Sequence, residues 1–194
     1  MGAGDEVTSA NMTSTRAASA AVRAAVKAAT ERVGPGLYGI ACSGGADSVA
    51  LAHAAMAVVG AAHVVILTID HRLSPGSGER ADAVAAWARA EGAAAVSDAV
   101  TVPRTASLEA AAREVRYAAL ARLAERLGLA AVLLGHTARD QAETVLMRIV
   151  RGTGPAGLAG MPARRGPFVR PLLDLPREVI DAYVARHALP IWED

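Results

Sequence analysis

The sequence is almost without lysine. Of its 20 basic residues only Lys27 is a lysine, and the rest are arginines. A chemistry that grips phosphate must therefore use Lys27 or find its positive charge elsewhere. Cysteine is nearly absent too. Cys42 stands alone, which excludes an internal disulfide, a CxxC pair or a zinc cluster. It falls inside an apolar run and reads as a small buried residue. Aromatic residues make up 3% of the chain, too few for an extended stacking platform of the kind that binds single strands. The longest apolar runs, such as 61–69, contain a histidine and are far too short to span a bilayer. The first 15 residues are acidic and polar rather than basic and then apolar, so no signal peptide is read there. These absences point to a reducing cytoplasm and no membrane partner. The net charge of +1 gives no global case for nucleic-acid binding, so any basic surface must be local.

What remains is an alanine-rich chain of 194 residues, 53% apolar and 20% charged. That suits one substantial globular domain with many helices. Residues 1–15 read as a flexible tail. A helix is expected over 16–33, stopped by Gly34-Pro35-Gly36. Strands are expected at 37–42, 64–69, 95–102, 130–134 and 169–173. Helices are expected at 49–59, 79–91, 107–127 (with Ser107 as N-cap), 137–150 and 177–187. The strands are continuous apolar runs and alternate with helices. This predicts an α/β fold, a doubly wound, mainly parallel five-stranded sheet with helices on both faces. Ligands bind such sheets beyond the carboxyl ends of the strands. Four clusters fall there: residues 43–48, Asp70-His71, Arg104-Thr105 and His136-Thr137.

Gly34-Pro-Gly-Leu-Tyr-Gly39 matches G-x-G-x-x-G but precedes a strand, so turn chemistry explains it. The loop Ser43-Gly44-Gly45-Ala46-Asp47-Ser48 sits between strand and helix. Its glycines let backbone N–H groups face an anion, and the following helix adds partial positive charge. Ser43 and Ser48 can donate to phosphate oxygens. Asp47 makes sense there if it holds Mg²⁺ shared with those phosphates. A glycine turn with a serine cap is the plainer reading of the same six residues.

The loop resembles the pyrophosphate loop of the N-type ATP pyrophosphatases, the PP-loop family. Within that group the chain is similar to the tRNA(Ile)-lysidine synthetases over residues 35–194. The resemblance includes Ile69-Asp-His-Arg-Leu73, Glu109-Ala-Ala-Ala-Arg-Glu-Val-Arg-Tyr117, Leu134-Gly-His-Thr137, Asp140-Gln-Ala-Glu-Thr144, Arg151-Gly-Thr-Gly-Pro-Ala-Gly-Leu-Ala-Gly-Met161 and Arg170-Pro-Leu-Leu173. Two departures stand out. Arg139 occupies a position where the family often has an acid. The family's C-terminal tRNA-binding region is expected to be absent from these 194 residues.

The resemblance implies an adenine nucleotide alpha hydrolase-like catalytic domain over 16–194 that uses ATP and Mg²⁺. It implies that the wobble cytidine of a tRNA(Ile) with a CAU anticodon is adenylated on O2, and that the amine of L-lysine then displaces AMP at C2. By its spacing alone, the Asp140 and Glu143 pair reads as a solvated acidic face. The resemblance assigns both to lysine recognition or catalysis. His136 ends a strand at the ligand edge and is placed with the catalytic set. Arg113 and Arg116, three apart on one helix, are expected to neutralise the α-phosphate and the departing pyrophosphate. Residues 43–48, Asp70, His71 and Arg116 form the expected ATP site, with Asp47 holding the metal. Arg148, Arg151, Arg164, Arg165 and Arg170 are candidate tRNA phosphate contacts, solvated surface being the alternative for each. A homodimer is admitted but not required. Three rival functions stay open: a tRNA thiolase, an adenylating enzyme with a small acceptor, and a non-catalytic adenine-nucleotide-binding module. Thiolase chemistry generally needs paired cysteines or a cluster, and only Cys42 is present.

Overall fold

The computed structural model describes residues 3–71, 76–103, 107–152 and 159–192, with side chains from residue 15 onward. Helix α1 spans Ala3–Val33. It starts well before the expected residue 16, no proline lying between Ala3 and Arg16 to stop it. Strand β1 (Tyr38–Ala41) leads into α2 (Ala46–Val59). After a single 3₁₀ turn come β2 (Val64–Asp70), α3 (Ser77–Ala90) and β3 (Ala94–Ala99). The second half adds α4 (Leu108–Arg126), β4 (Ala131–Leu134), α5 (Ala138–Val150), β5 (Arg164–Arg165), β6 (Phe168–Val169) and α6 (Arg177–His187). Ser107 caps α4 as its sequence suggests, its hydroxyl accepting from the Ala110 N–H at 3.4 Å.

The sheet has six strands in the order β3-β2-β1-β4-β6-β5. Five are parallel, as expected, and β5 adds a short antiparallel edge. The strand expected over 169–173 is only two residues long. Arg170 turns inward after it, and Leu172 and Leu173 fill the core from a turn instead.

Alternate residues of the central strands feed two cores. Ile40, Ile66 and Leu133 face α1, α2, α3 and α6, whereas Ala41, Leu67 and Leu134 face α4 through Leu120 and Leu123. Each large aliphatic side chain fully buried this way contributes about 1.5–3 kcal/mol. Burial on both faces is what makes these strands continuous apolar runs. Helix α5 differs. It buries none of its side chains among the described residues, and Leu146, Met147, Ile149 and Val150 lie exposed. No helix among the described residues is long and apolar enough to cross a membrane.

Candidate active site

The chain runs outward from β1 through β2 to β3, then returns to the other side of β1 as β4. The loops leaving β1 and β4 therefore diverge, and a crevice opens at that switch point. It holds a cavity of about 1010 Å³, lined by the 43–48 loop, the ends of β2 and β4, and side chains from α3, α4, α5 and α6. A side cavity of about 240 Å³ continues between α4 and the ends of β2 and β4, past His71, Arg113, Arg116 and His136. Gly135 lets the two halves approach. A β-carbon there would stand 3.0 Å from the Asp47 carbonyl oxygen and 3.1 Å from Ser48 Cα.

The loop is internally braced. Ser48 Oγ accepts from the Ser43 N–H at 3.2 Å and donates to the Gly45 carbonyl at 2.8 Å. Gly44 takes a left-handed backbone, φ +97°. A side chain there would be strained and would also meet Trp192 Cβ at 3.2 Å. The Trp192 N–H donates to the Gly44 carbonyl at 3.0 Å, so a segment far along the chain fixes the turn. By position the N–H groups of Ala46 and Asp47, which open α2, have no intrahelical partner, and both residues line the same crevice.

Cations approach the loop from both faces of the sheet. Arg113 and Arg116 reach the cavity from α4. Arg116 has no ion-pair partner among the described residues, and burial, followed by the neighbouring Arg113, lowers its pKa. Arg113 lies over the Tyr117 ring, its guanidinium carbon 5.2 Å from the centroid. From the opposite face Arg177, the first residue of α6, donates through Nη1 to Asp47 Oδ2 at 3.2 Å and through Nε to Asp181 Oδ1 at 2.8 Å. Arg177, Asp181 and Trp192 all line the cavity, and sequence reasoning missed all three. Asp47 is held above the usual carboxylate range, chiefly by burial and then by Asp140 and Asp181, against the pull of Arg177.

His136 is not poised as a base. Arg170 Nε donates to its Nδ1 at 3.2 Å, which leaves Nε2 to carry the ring proton. Burial first, then Arg170, push its pKa down to about 4, so it is neutral at pH 7. Asp140 lines the cavity while its Oδ2 accepts from both the N–H (2.7 Å) and the hydroxyl (3.0 Å) of Thr137, capping α5. Both of those bonds fall on Oδ2, which leaves Oδ1 to meet a ligand. Glu143 stands apart. It is exposed, pairs with Arg139 at 3.0 Å, and is not part of the cavity wall. The expected carboxylate pair is therefore split. Asp70 and His71 line the cavity as expected. His71 Nδ1 is buried with no hydrogen-bond partner among the described residues, and burial lowers that imidazole's pKa.

The expected tRNA arginines do not form one surface. Arg170 is buried, donating to His136, to the Pro162 carbonyl at 2.9 Å and to the Tyr117 hydroxyl at 3.3 Å, so its guanidinium serves the interior and cannot meet a polynucleotide. Arg148 is half-buried and donates to the Gly160 carbonyl at 3.1 Å. Arg151, Arg164 and Arg165 are exposed. In the Asp140–Thr144 stretch, Gln141 does architectural work, bonding both ways to the Met161 backbone at 3.0 and 2.5 Å. Arg104 and Thr105, and residues 153–158 of the glycine-rich stretch, lie outside the described residues.

A family model described as "PP-loop domain" matches residues 18–194. A tRNA(Ile)-lysidine synthase of Salinispora tropica is 49% identical over 185 residues, which cover 90% of this chain and 55% of that protein. One of Thermobifida fusca is 45% identical over 179 residues, with the same shares. The chain thus spans about half the length of the curated relatives it matches. Among solved structures, the U34-tRNA thiolase NcsA from Methanococcus maripaludis superposes with a TM-score of 0.73 over 89% of this chain and 65% of that one, at 14% identity. A glutamine-dependent NAD+ synthetase from Acinetobacter baumannii gives 0.60 over 85% of this chain and 31% of that one, at 20% identity. These two likenesses concern the fold.

Proposed function

Since the chain belongs to the PP-loop family, we propose that it splits ATP into AMP and pyrophosphate in order to join L-lysine to the wobble cytidine of a tRNA(Ile) bearing a CAU anticodon. The observation that carries this reading is a single cavity holding the 43–48 loop, Arg116, which has no ion-pair partner among the described residues, with Arg113, and Asp140. The names of the relatives select lysidine formation among PP-loop chemistries. A lone buried cysteine weighs against the thiolase alternative. The catalytic domain of this reading covers residues 16–194, in the cytoplasm; the match covers 55% of the Salinispora tropica relative.

The residues divide the work. Asp70 and His71 bind the adenosine, the orphan Nδ1 of His71 finding its partner there. The loop amides with the Ser43 hydroxyl hold the phosphates, while Ser48, whose hydroxyl proton is given to the Gly45 carbonyl, keeps the loop in shape for them. Arg113 and Arg116 face the α-phosphorus, where the cytidine O2 attacks and the bond to the β-phosphate oxygen breaks. Developing negative charge is worth most to a recessed, unpaired guanidinium. Asp47 suits a hydrated divalent ion. It lies at the cavity wall, its charge is disfavoured by burial and two neighbouring acids, and no group of three metal-ligating side chains occurs among the described residues. An ion held there would draw its other ligands from phosphate and water, as Mg²⁺ does. When bound, Mg²⁺ supplies charge neutralisation on the departing pyrophosphate.

In the second step the amine attacks C2 and AMP leaves. Lysine's ammonium has an ordinary pKa of about 10.4 and must shed a proton first. Asp140 Oδ1 binds the ammonium and lies where that proton can be received. Neutral His136, with its Nε2 proton, donates a hydrogen bond rather than taking one. Arg151, Arg164 and Arg165 are the exposed arginines left to meet tRNA phosphates.

The test is incubation with Mg²⁺-ATP, radiolabelled lysine and unmodified tRNA(Ile). Label retained on tRNA after mild alkali, matched by AMP release, is expected. AMP release without such label would replace lysine by another acceptor. Neither signal, for a chain that still binds that tRNA, would remove the catalytic reading.

A further inference from the structure

Arg177 reaches the loop from the α6 side of the sheet. It rises from the first turn of α6, beside the first turn of α2 that carries Asp47. Its Nη1 lies 3.2 and 3.4 Å from the two Asp47 oxygens, and its Nε binds Asp181. Its side chain is 40% exposed, enough to turn toward a ligand, and it lines the same cavity as the loop. The only lysine of the chain is on α1, 68% exposed and paired with Glu31, so it leaves the phosphate work to arginine. Arg113 and Arg116 come from α4, across the sheet. A polyphosphate lying along the loop would thus have cations on one flank for its α end and Arg177 on the other.

On the reading that this site splits ATP, we propose that Arg177 is a pyrophosphate-binding residue that also guards Asp47. Without nucleotide its guanidinium neutralises the Asp47 carboxylate. With nucleotide the guanidinium turns to the β- and γ-phosphates, and Asp47 is released to the divalent cation. One side chain then competes with the metal for Asp47 and cooperates with it for pyrophosphate. The two effects have opposite signs, which a purely structural contact between α6 and α2 does not produce.

The experiment is a set of binding titrations on the full chain, comparing wild type with Arg177→Gln and Arg177→Lys. The probes are Mn²⁺ alone, Mg²⁺-pyrophosphate and AMP. Loss of charge-assisted hydrogen bonds to phosphate is worth about ten- to a hundredfold in affinity. Arg177→Gln should therefore bind Mg²⁺-pyrophosphate at least tenfold more weakly. It should bind Mn²⁺ alone about threefold more tightly, since a competing cation beside Asp47 is gone. AMP, which lacks the β- and γ-phosphates, should bind within twofold of wild type. Arg177→Lys keeps the charge and should recover most of the pyrophosphate affinity; Arg177→Met, which keeps the bulk and removes the charge, takes the place of the glutamine variant if that one does not fold. Unchanged pyrophosphate binding in Arg177→Gln overturns the proposal. So does parallel weakening of all three probes, or a lysine variant as weak as the glutamine one. Wild-type protein that binds neither ATP nor pyrophosphate overturns the ATP-splitting reading itself, and this proposal with it.

Discussion

Arg170 and His136 form one unit, the Nε of the arginine donating to Nδ1 of the imidazole at 3.2 Å. Arg170 is also, after burial, a cause of the depressed His136 pKa of about 4. Replacing Arg170 by methionine keeps bulk and removes charge. The His136 pKa should then rise above 4, measured from its ring-proton chemical shift against pH. Stability should fall by about 2–4 kcal/mol, because the Pro162 carbonyl and His136 lose a buried charged donor. An unmoved histidine titration would remove Arg170 as the group that sets this imidazole.

Acid should unfold the protein through its histidines. His136 and His53 both sit at about 4 in the folded state, His53 through burial, His187 and Arg23. Unfolded histidine titrates near 6.5. Between those values the unfolded chain binds more protons, so stability is complete above about pH 6.5 and drains away as pH falls toward 4. The loss approaches about 3 kcal/mol for His136 and is smaller for the half-buried His53, whose charge water partly screens. Urea midpoints at pH 7.5, 6 and 5 measure it, and His53→Gln should flatten the slope. A level profile through pH 5 would contradict the assignment.

Gly135→Ala should cost about 1–3 kcal/mol, because its β-carbon would press on the Asp47 carbonyl and Ser48 Cα, both backbone atoms that cannot swing aside. The damage should fall on nucleotide affinity too, since the same atoms begin α2. Denaturant midpoints together with ATP titration would separate this from a harmless change, in which neither moves.

Arg116→Met should trade function for stability. The wild-type guanidinium is recessed and has no ion-pair partner among the described residues, so removing its charge relieves a desolvation cost. A higher melting temperature with at least tenfold weaker ATP binding is expected. A lower melting temperature would mean that the arginine is held by contacts beyond those described.

The two acids of α5 should behave differently. Asp140→Asn should reduce kcat/KM for lysine at least a hundredfold, with about 1 kcal/mol lost from the α5 cap. Glu143→Gln should change it less than threefold, because that carboxylate is exposed and paired with Arg139. Equal effects in steady-state kinetics would restore the pair.

Much of this architecture is legible in the order of residues alone. Tyr38–Ala41, Val64–Asp70 and Ala131–Leu134 announce a parallel sheet because both faces of each strand are covered. The Arg113 and Arg116 spacing is legible because one helix carries both. Asp140 and Glu143 mislead for the same reason. Helical spacing puts two residues on a neighbouring face but says nothing of how broad the cavity mouth is, and Arg139 claims Glu143 first. Arg177, Asp181 and Trp192 could not be found locally. Only the packing of α6 against α1 and α2 carries them to a loop made much earlier in the chain. The inward turn of Arg170 is hidden likewise, since an arginine beside two others on an edge hairpin looks like surface.

The bond from Trp192 to Gly44 sets an order of events during synthesis. The loop leaves the ribosome early, together with β1; β2 can then pair with β1, and β3 with β2, while translation continues. The clasp on its turn is among the last described residues to be made. A growing chain thus carries this loop without its clasp until Trp192 emerges. ATP presented to nascent protein would find strands already assembled around a loop not yet locked.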